Sequence, residues 1–244
     1  MPFKLIAETA DHIVVDKPPF LEAHPSKPGG KRTLWDGLRE LLAYEVANGG
    51  QVSIINRLDR ETSGLTLIAK TRAAARELTR QMTARTIAKE YLAIVWGWPE
   101  RDEWEIDAPL LRLGSVEPFR IWLKQGIHAN GSPARTRFRV ERRFTRDTTN
   151  GREFAIVRAF PETGRTHQIR VHLAHSGHAV VGDKIYGPDE RCYLEFIETG
   201  WTPALATRLL LPRHALHSAA LRLETCGTGW ESPLPEDLTA FADG

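Results

Sequence analysis

A carboxylate flanked by two arginines stands just ahead of a strongly apolar segment of the chain. Asp59 follows Arg57 and precedes Arg60, and the stretch from Leu65 to Ala69 is composed of strand-forming residues. A carboxylate held rigidly at the end of a buried strand is well placed for nucleophilic or acid–base chemistry. The same residues also describe an ordinary turn aspartate paired with a neighbouring arginine. This segment alone leaves both interpretations open.

A second group of polar residues lies between Pro161 and His178. Gly164 ends a predicted strand, and apolar residues then recur at helical spacing until Gly177, which is expected to end the helix. This pattern places Arg165 and Thr166 in the first helical turn. A helix N-terminus with an arginine beside it attracts an anion, either a phosphate or an aspartate side chain.

Four histidines in this segment raise the question of a metal site. They are His167, His172, His175 and His178, and their spacing does not match the H-E-x-x-H pattern. The two cysteines of the chain lack the C-x-x-C spacing of a zinc or redox site. We therefore expect no metal, and histidines that cap helix ends, face water or hydrogen-bond within the core.

Composition indicates a soluble globular protein. The 244 residues include 41% hydrophobic and 26% charged residues, which suits one domain spanning residues 1–244 with a real core. No apolar run approaches the length of about 20 residues that spans a bilayer, and no signal peptide is recognised. With few cysteines as well, the sequence predicts a cytoplasmic protein without a membrane partner.

The net charge of +2 is small, but the arginines are unevenly distributed. Between residues 135 and 146 six arginines face one acidic residue, and Arg137 and Arg139 alternate with apolar Phe138 and Val140. Alternation of this kind predicts a strand with one buried face and one cationic face. Such a face suits an RNA phosphate backbone, although a solvated arginine face without a partner is the open alternative.

The remaining pattern favours an α+β fold with a mixed, largely antiparallel sheet flanked by helices. No segment is a convincing linker, and the stretch 126–133 is the nearest to one. One predicted helix follows Thr33 and ends at Asn48-Gly49-Gly50, a second follows Thr71, and a third covers Pro235 to Ala242. The predicted strands are His12 to Val15, Glu90 to Val95, Phe154 to Phe160 and Ala215 to Leu223, with hairpin-like pairs in the second half of the chain. Pro25 to Gly30 is a predicted loop.

Five short motifs occur in one order along residues 12 to 223. They are Asn56-Arg57-Leu58-Asp59 with Thr62-Ser63-Gly64-Leu65, then Lys89-Glu90-Tyr91-Leu92-Ala93 with Gly97, Gly164-Arg165-Thr166-His167-Gln168-Ile169-Arg170-Val171-His172, Gly182-Asp183 with Tyr186-Gly187, and His214-Ala215-Leu216-His217-Ser218. Together they resemble the RluA-type family of RNA pseudouridine synthases. The resemblance implies the pseudouridine synthase catalytic fold, an RNA substrate and no cofactor.

Two positions depart from the family pattern. Asn56 stands where the family usually has histidine, and the early K-P-x-G-L pattern reads Lys17-Pro18-Pro19-Phe20-Leu21, with Phe20 in place of glycine. Neither departure affects the carboxylate, although Asn56 could change how its loop meets RNA. Many relatives carry an N-terminal S4 module, and we expect none here, so that the catalytic domain itself would recognise the RNA.

The resemblance also implies a mechanism. Uracil leaves ribose C1′ at N1, turns and rejoins through C5, with Asp59 as the catalytic carboxylate. Whether Asp59 attacks C1′ or removes a proton from C2′ stays open, and both routes need it ionised. Arg165 matches the family arginine that pairs with this aspartate. Tyr91 matches the family tyrosine that lies against the uracil ring.

Further residues are assigned to RNA by the resemblance and by charge. Arg57 resembles the arginine that enters the RNA stack as the base leaves, with an ion pair to Asp59 as the alternative. Ile169 and Leu216 are expected to form apolar walls for the base. The expected partner is ribosomal or transfer RNA, bound by a monomer without an obligatory protein partner. An inactive RNA-binding protein and a hydrolase are the alternative functions.

Overall fold

The computed structural model describes residues 2–25 and 30–244, so residues 26–29 of the predicted Pro25–Gly30 loop lie outside the described residues. The strands are β1 Lys4–Glu8, β2 His12–Lys17, β3 Ser53–Ile54, β4 Ser63–Ala69, β5 Ile87–Trp96, β6 Glu103–Asp107, β7 Leu110–Arg112, β8 Gln125–Ile127, β9 Arg135–Thr148, β10 Gly151–Pro161, β11 Leu216–Leu223 and β12 Thr228–Glu231. The helices are α1 Leu34–Leu41, α2 Ala43–Ala47, α3 Arg72–Thr83, α4 Gln168–His175, α5 Arg191–Thr199, α6 Pro203–Leu209 and α7 Glu236–Asp243, with a 3₁₀ turn at Leu113–Ser115.

These elements form two compact units. Unit 1 comprises Met1–Lys89 and His217–Pro233, and unit 2 comprises Glu90–Leu216 and Leu234–Gly244. The boundaries do not fall in the linker-like stretch 126–133. The single catalytic domain over residues 1–244 stays a prediction. The α+β class and the mixed, largely antiparallel sheet are confirmed.

Unit 1 is built around β4, which lies between β2 and β11 in its sheet. All seven residues of β4 are buried, which explains why its sequence has no charged residue and no polar face. Leu65 and Leu67 pack in one cluster with Leu78 of α3. Ile68 packs in another cluster with Leu34 of α1. Helices therefore cover both faces of the strand that follows Asp59.

The two helices predicted for this unit are present, and both begin at capped ends. Thr33 and Asp36 form a reciprocal capping box at the start of α1. The Thr71 side chain accepts a hydrogen bond from the backbone N–H of Ala74, 3.1 Å away, at the start of α3. The first helix differs from the prediction because Leu42 leaves the helical conformation and separates α1 from α2. Leu42 itself remains in the buried cluster beside α1.

Unit 2 contains an antiparallel sheet in the order β5, β10, β9, β6, and a separate β7–β8 pair. The long β9–β10 hairpin confirms the hairpin-like pairing predicted for the second half of the chain. Phe154 and Val157 of β10 are completely buried. Among the helices of the described residues, none has both the length and the apolar character that crossing a bilayer demands.

Two distant motifs meet where β4 and β11 run parallel. His217 lies opposite Ser63, and Ser218 lies opposite Gly64. A hydrogen bond of 2.9 Å joins the Ser63 hydroxyl and His217 Nδ1, and the Ser218 hydroxyl donates to the Leu65 carbonyl at 3.1 Å. The His-Ser pair of the fifth motif therefore fixes the strand that follows the Asp59 turn.

Gly64 is required by this contact. A Cβ added to Gly64 would lie 2.3 Å from the Ser218 carbonyl oxygen, and its φ is +109°. We expect Gly64→Ala to lower the free energy of unfolding by more than about 3 kcal/mol, because backbone strain and a backbone clash add together. Urea denaturation followed by circular dichroism measures the change.

The matched control is Gly49→Ala. Gly49 has φ +89°, but a Cβ added there meets nothing within 4 Å. This variant should lose only the cost of the positive φ, about 1–2 kcal/mol. Equal losses in the two variants would show that the contact with Ser218 adds nothing.

Candidate functional site

Asp59 lies in the loop between β3 and β4 of unit 1. The backbone N–H of Thr62 donates to the Asp59 carbonyl at 3.1 Å and closes the turn. Arg57 is exposed, Leu58 is buried, and Asp59 is half-buried. The buried Leu58 side chain, between the two charged residues, anchors the loop. Arg57 therefore faces solvent, and the neighbouring Asp59 carboxylate is partly shielded from solvent.

Asn56 anchors the start of this loop to β4. Its side-chain Nδ2 donates to the Leu65 carbonyl at 3.0 Å, and its Oδ1 accepts from the Leu67 N–H at 2.7 Å. The side chain is buried, so it positions the loop from inside the unit. One amide group thus supplies both a donor and an acceptor to the β4 backbone. An effect of Asn56 on how the loop meets RNA stays a prediction.

Lys17 anchors the other end of the loop. Its ammonium group is fully buried and donates to the carbonyls of Pro18, Leu21 and Arg60 at 2.9, 2.9 and 3.2 Å. A buried ammonium is tolerated only when hydrogen bonds replace its lost hydration. The first two residues of the early Lys-Pro motif therefore connect the turn after β2 to the turn that contains Asp59.

Arg165 lies in unit 2, in the turn between β10 and α4. Its Nε donates to the Pro133 carbonyl at 3.1 Å, and its backbone N–H donates to Gln168 Oε1 at 3.0 Å. The predicted location in the first helical turn was wrong, because α4 begins only at Gln168 and His167 adopts the left-handed conformation with φ +58°. The exposed guanidinium of Arg165 is thus held by a turn instead of a helix.

Gln168 is a positioning residue that the sequence analysis missed. Its Oε1 accepts from the Thr163 hydroxyl at 2.7 Å as well as from Arg165. Its Nε2 donates to the Arg135 carbonyl at 3.0 Å and to the Thr136 hydroxyl at 2.9 Å. One buried amide therefore joins β9, the Arg165 turn and α4. The only signal in the sequence was its place in the third motif.

The fourth motif anchors α4 through a buried ion pair. Arg170 Nε and Nη2 donate to the two oxygens of Asp183 at 2.7 and 2.9 Å. Asp183 Oδ1 also accepts from the backbone N–H groups of Ile185 and Tyr186. Burial opposes ionisation of Asp183, but the Arg170 guanidinium outweighs burial and holds the pKa of this carboxyl well below its usual range.

The histidines of this segment have partners within the protein. His167 Nδ1 is hydrogen-bonded to the Tyr186 hydroxyl at 2.8 Å, and His172 Nδ1 to the Thr136 hydroxyl at 2.9 Å. His178 Nδ1 lies 3.1 Å from the Trp96 carbonyl oxygen. For these three histidines, the prediction of hydrogen bonding within the protein is confirmed.

The residues assigned to the base occupy buried positions in unit 2. Tyr91 lies on β5 opposite Ala159 of β10, and its side chain is buried. Ile169 is in the first turn of α4, and Leu216 begins β11; both are buried. Unit 2 therefore holds Tyr91, Ile169 and Leu216 together with Arg165, whereas Arg57 and Asp59 belong to unit 1. The pairing of Asp59 with Arg165 stays a prediction.

The arginine-rich strand forms as predicted. Arg137 and Arg139 are exposed on β9, and Phe138 between them is buried. Acidic residues lie close to both arginines: Arg137 is 3.7 Å from Glu162, and Arg139 is 2.8 Å from Glu141. Acidic neighbours in the folded protein therefore compensate most of the positive charge that the sequence places on this face.

A second arginine face lies on α3 of unit 1. Arg72 and Arg76 are exposed one helical turn apart, and neither forms an ion pair with any residue in the described ranges 2–25 and 30–244. They line an open groove of about 690 Å³ together with Gln51, Thr79 and other residues of the helix. Uncompensated guanidinium groups beside hydroxyl and amide groups provide a surface that fits an anionic backbone.

Similarity to known proteins extends over the whole chain. A family model described as RNA pseudouridylate synthase matches residues 11–175. Ribosomal large subunit pseudouridine synthase D of Nitrosomonas europaea is 37% identical over 246 residues, covering 99% of this chain and 64% of that protein. The Pseudomonas aeruginosa protein of the same name is 36% identical over 247 residues, covering 96% and 69%. The chain thus spans about two thirds of the length of these relatives.

Solved structures give the same fold. Human RNA Pseudouridylate Synthase Domain Containing 1 superposes with a TM-score of 0.70 at 25% identity, covering 98% of this chain and 86% of that one. Human RNA Pseudouridylate Synthase Domain Containing 4 gives a TM-score of 0.72 at 22% identity, with coverage of 97% and 90%. The second likeness supports the fold alone.

Lys89 of the second motif has a lowered side-chain pKa, and this shift can be measured. Partial burial, together with the positive charge of Arg85, lowers the pKa of Lys89 from 10.5 to about 8. The folded protein therefore binds fewer protons than the unfolded chain between these two values. The contribution of Lys89 to stability is unfavourable below pH 8 and rises with pH across this window.

We expect the Lys89 side-chain resonance to titrate with a midpoint near pH 8 in NMR spectra of protein labelled at lysine Cε. Lys89→Met assigns the resonance, and Arg85→Gln should raise the midpoint because it removes a like charge. A midpoint at the ordinary lysine value would contradict the burial of this ammonium group.

Proposed function

Because this chain belongs to the RluA-type branch of the RNA pseudouridylate synthase family, we propose that it isomerises specific uridines of ribosomal RNA to pseudouridine. The observation that carries the proposal is the family match over residues 11–175, which includes the Asp59, Tyr91 and Arg165 positions. The names of both bacterial relatives refer to the large ribosomal subunit, and this favours ribosomal RNA over transfer RNA.

The proposed reaction conserves every atom of the uridine. The bond between N1 and C1′ breaks, the uracil turns, and a bond between C5 and C1′ forms while C5 loses a proton and N1 gains one. Asp59 acts at the ribose, either by attacking C1′ or by removing the C2′ proton. Both routes require a carboxylate that is ionised and held in position. The turn that contains Asp59 is anchored by Asn56 and Lys17, which supports a fixed position for the carboxylate.

Arg165 is proposed to keep this carboxylate ionised. An arginine within about 4–6 Å lowers a carboxylate pKa by roughly 1–3 units. The exposed guanidinium, held through Nε by Pro133, suits this purpose because its position does not depend on the substrate. Tyr91, Ile169 and Leu216 are the proposed walls of the uracil site, and their burial accords with an apolar pocket.

The target uridine must leave the RNA stack before Asp59 can reach its ribose. Extruding a base costs a few kcal/mol, and least in loops or at unpaired positions. Arg57 is proposed to occupy the gap in the stack, since its planar side chain is exposed next to Asp59. An inactive RNA-binding protein would be expected to lose members of the catalytic set, and Asp59, Tyr91 and Arg165 are all present.

Asp59→Asn tests the proposed activity directly. The substitution keeps the shape of the side chain and removes its charge, so pseudouridine formation should fall by more than about a thousandfold while RNA binding persists. Tritium release from ribosomal RNA labelled at uridine C5 measures turnover, because the C5 hydrogen must leave. Asp11→Asn, the same change in an exposed turn of unit 1, is the control. Turnover of Asp59→Asn within tenfold of the wild type would reject Asp59 as the essential group.

The two arginine faces can be ranked by the salt dependence of RNA binding. Each phosphate contact adds about 0.7 to the slope of log affinity against log salt for single-stranded RNA. Arg72→Gln with Arg76→Gln should flatten the slope by about 1.4, if both contact phosphate. Arg137→Gln with Arg139→Gln should also weaken binding and flatten the slope, but by less, since Glu162 and Glu141 compensate these charges.

Filter binding between about 50 and 300 mM salt gives the slope of log affinity against log salt for both double variants. Salt screens the attraction between exposed arginines and phosphates increasingly over this range. Arg222→Gln, which removes an exposed arginine paired with Glu231, is the control. An unchanged slope in the α3 double variant would show that this helix does not contact RNA.

A further inference from the structure

Phe20 adopts a backbone conformation that a bulky residue rarely takes. Its φ is +67°, in the left-handed region that favours glycine. The K-P-x-G-L pattern of the family has glycine at this position, and a glycine would adopt the same conformation without strain. The backbone therefore gives no reason for an aromatic residue here.

Core packing gives no reason either. Phe20 remains 47% exposed, whereas the next residue, Leu21, packs against a buried cluster of unit 1. The phenyl ring thus combines a strained backbone with an apolar surface that is left in water. Residues that keep such strain are concentrated at functional sites, where the surroundings hold them in place.

The ring lies in a turn that is attached to the Asp59 turn. The buried Lys17 ammonium donates to the carbonyls of Pro18 and Leu21, which bracket Phe20, and also to the carbonyl of Arg60. In the sheet, Lys17 lies opposite Gly64, so β2 ends where β4 begins. Phe20 is therefore carried on the same end of unit 1 as Asp59.

Two exposed arginines lie at this end of the unit. They are Arg57 and Arg60 of the Asp59 turn, and Arg60 lies 3.9 Å from Glu61. Partial burial and the nearby Arg57 guanidinium lower the pKa of His24, so Arg57 lies near the segment that follows Phe20. An exposed aromatic ring beside arginines is the combination that binds single-stranded nucleic acid, where the ring stacks on a base and the cations contact phosphates.

We propose that Phe20 is a base-stacking residue, which takes an unpaired nucleobase of the RNA next to the uridine that Asp59 acts on. The inference rests on the proposed function, because it assumes an RNA substrate at the Asp59 turn. Stacking requires a base whose face is accessible, so this site selects uridines in loops over those in continuous helices. Any base has a stacking face, so the site adds affinity and local RNA shape preference without reading a sequence.

Substitutions at position 20 separate stacking from folding. Phe20→Leu keeps an apolar side chain in the strained conformation but has no aromatic face, so RNA affinity should fall about tenfold, as loss of one stacked base predicts. Phe20→Trp should retain or improve affinity. Phe20→Gly removes both strain and ring, so it should unfold at a higher urea concentration than the wild type while binding RNA as weakly as Phe20→Leu.

The readout uses a ribosomal RNA fragment that the wild-type protein modifies, with 2-aminopurine in place of the nucleotide beside the modified uridine. Wild type and Phe20→Trp should quench its fluorescence, and Phe20→Leu should not. Tyr44→Ala, at a residue that is 80% exposed on α2, is the matched aromatic control and should leave affinity unchanged.

The outcomes distinguish this inference from the proposed function. If the wild type forms no pseudouridine in ribosomal RNA, the proposed function fails. If it forms pseudouridine and Phe20→Leu matches its affinity and its fluorescence quenching, only the stacking site is rejected. A loss of affinity that Phe20→Trp shares also rejects stacking, because the ring would then act through its size alone.

Discussion

A Cβ at position 64 would lie 2.3 Å from the Ser218 carbonyl oxygen, so β4 and β11 can pair in their observed register only with glycine there. This close approach fixes the beginning of β4 and hence the end of the Asp59 turn. The other anchors act on the same short segment: Asn56 bonds the β4 backbone, and Lys17 bonds the Arg60 carbonyl. A carboxylate placed by so many backbone contacts loses little freedom when a substrate arrives, which is the preorganisation that the proposed reaction at a ribose carbon would need.

Unit 2 fixes Arg165 by different means. One buried amide, Gln168, connects the Arg165 turn to β9 and α4. The Arg170–Asp183 pair then holds the helix, with the backbone N–H groups of residues 185 and 186 completing the carboxylate's hydrogen bonds. A buried ion pair is costly unless its hydrogen bonds are nearly complete, so this pair specifies one arrangement of α4 more than it adds stability.

Much of this arrangement could be read from the sequence where the signal is local. The alternation of Arg137 and Arg139 with Phe138 predicted β9, and Thr71 predicted the start of α3, because side-chain periodicity and caps depend on near neighbours alone. The left-handed conformation of His167 could not be predicted, since only a few per cent of non-glycine residues adopt it, even though histidine does so more often than most. Gln168 was missed for a related reason. Its four partners come from β9 and from the turn after β10, and only the folded chain brings them together.

The number of arginines in a segment was the poorest guide to the charge on the folded surface. The run of arginines on β9 was the most conspicuous basic feature of the sequence, yet strand pairing sets Glu105 opposite Arg137 and Glu103 opposite Arg139. Helix α3 carries fewer arginines, but two of them project from the same face one turn apart. Attraction for a polyanion depends on the uncompensated charge within about one Debye length, roughly 8–10 Å in physiological salt, and not on the number of arginines in a segment. A net charge of +2 therefore accommodates the proposed RNA binding when a few exposed arginines form no ion pair. For the proposed RNA substrate, the shape of the RNA and the bases it leaves unpaired must then supply the discrimination that charge cannot.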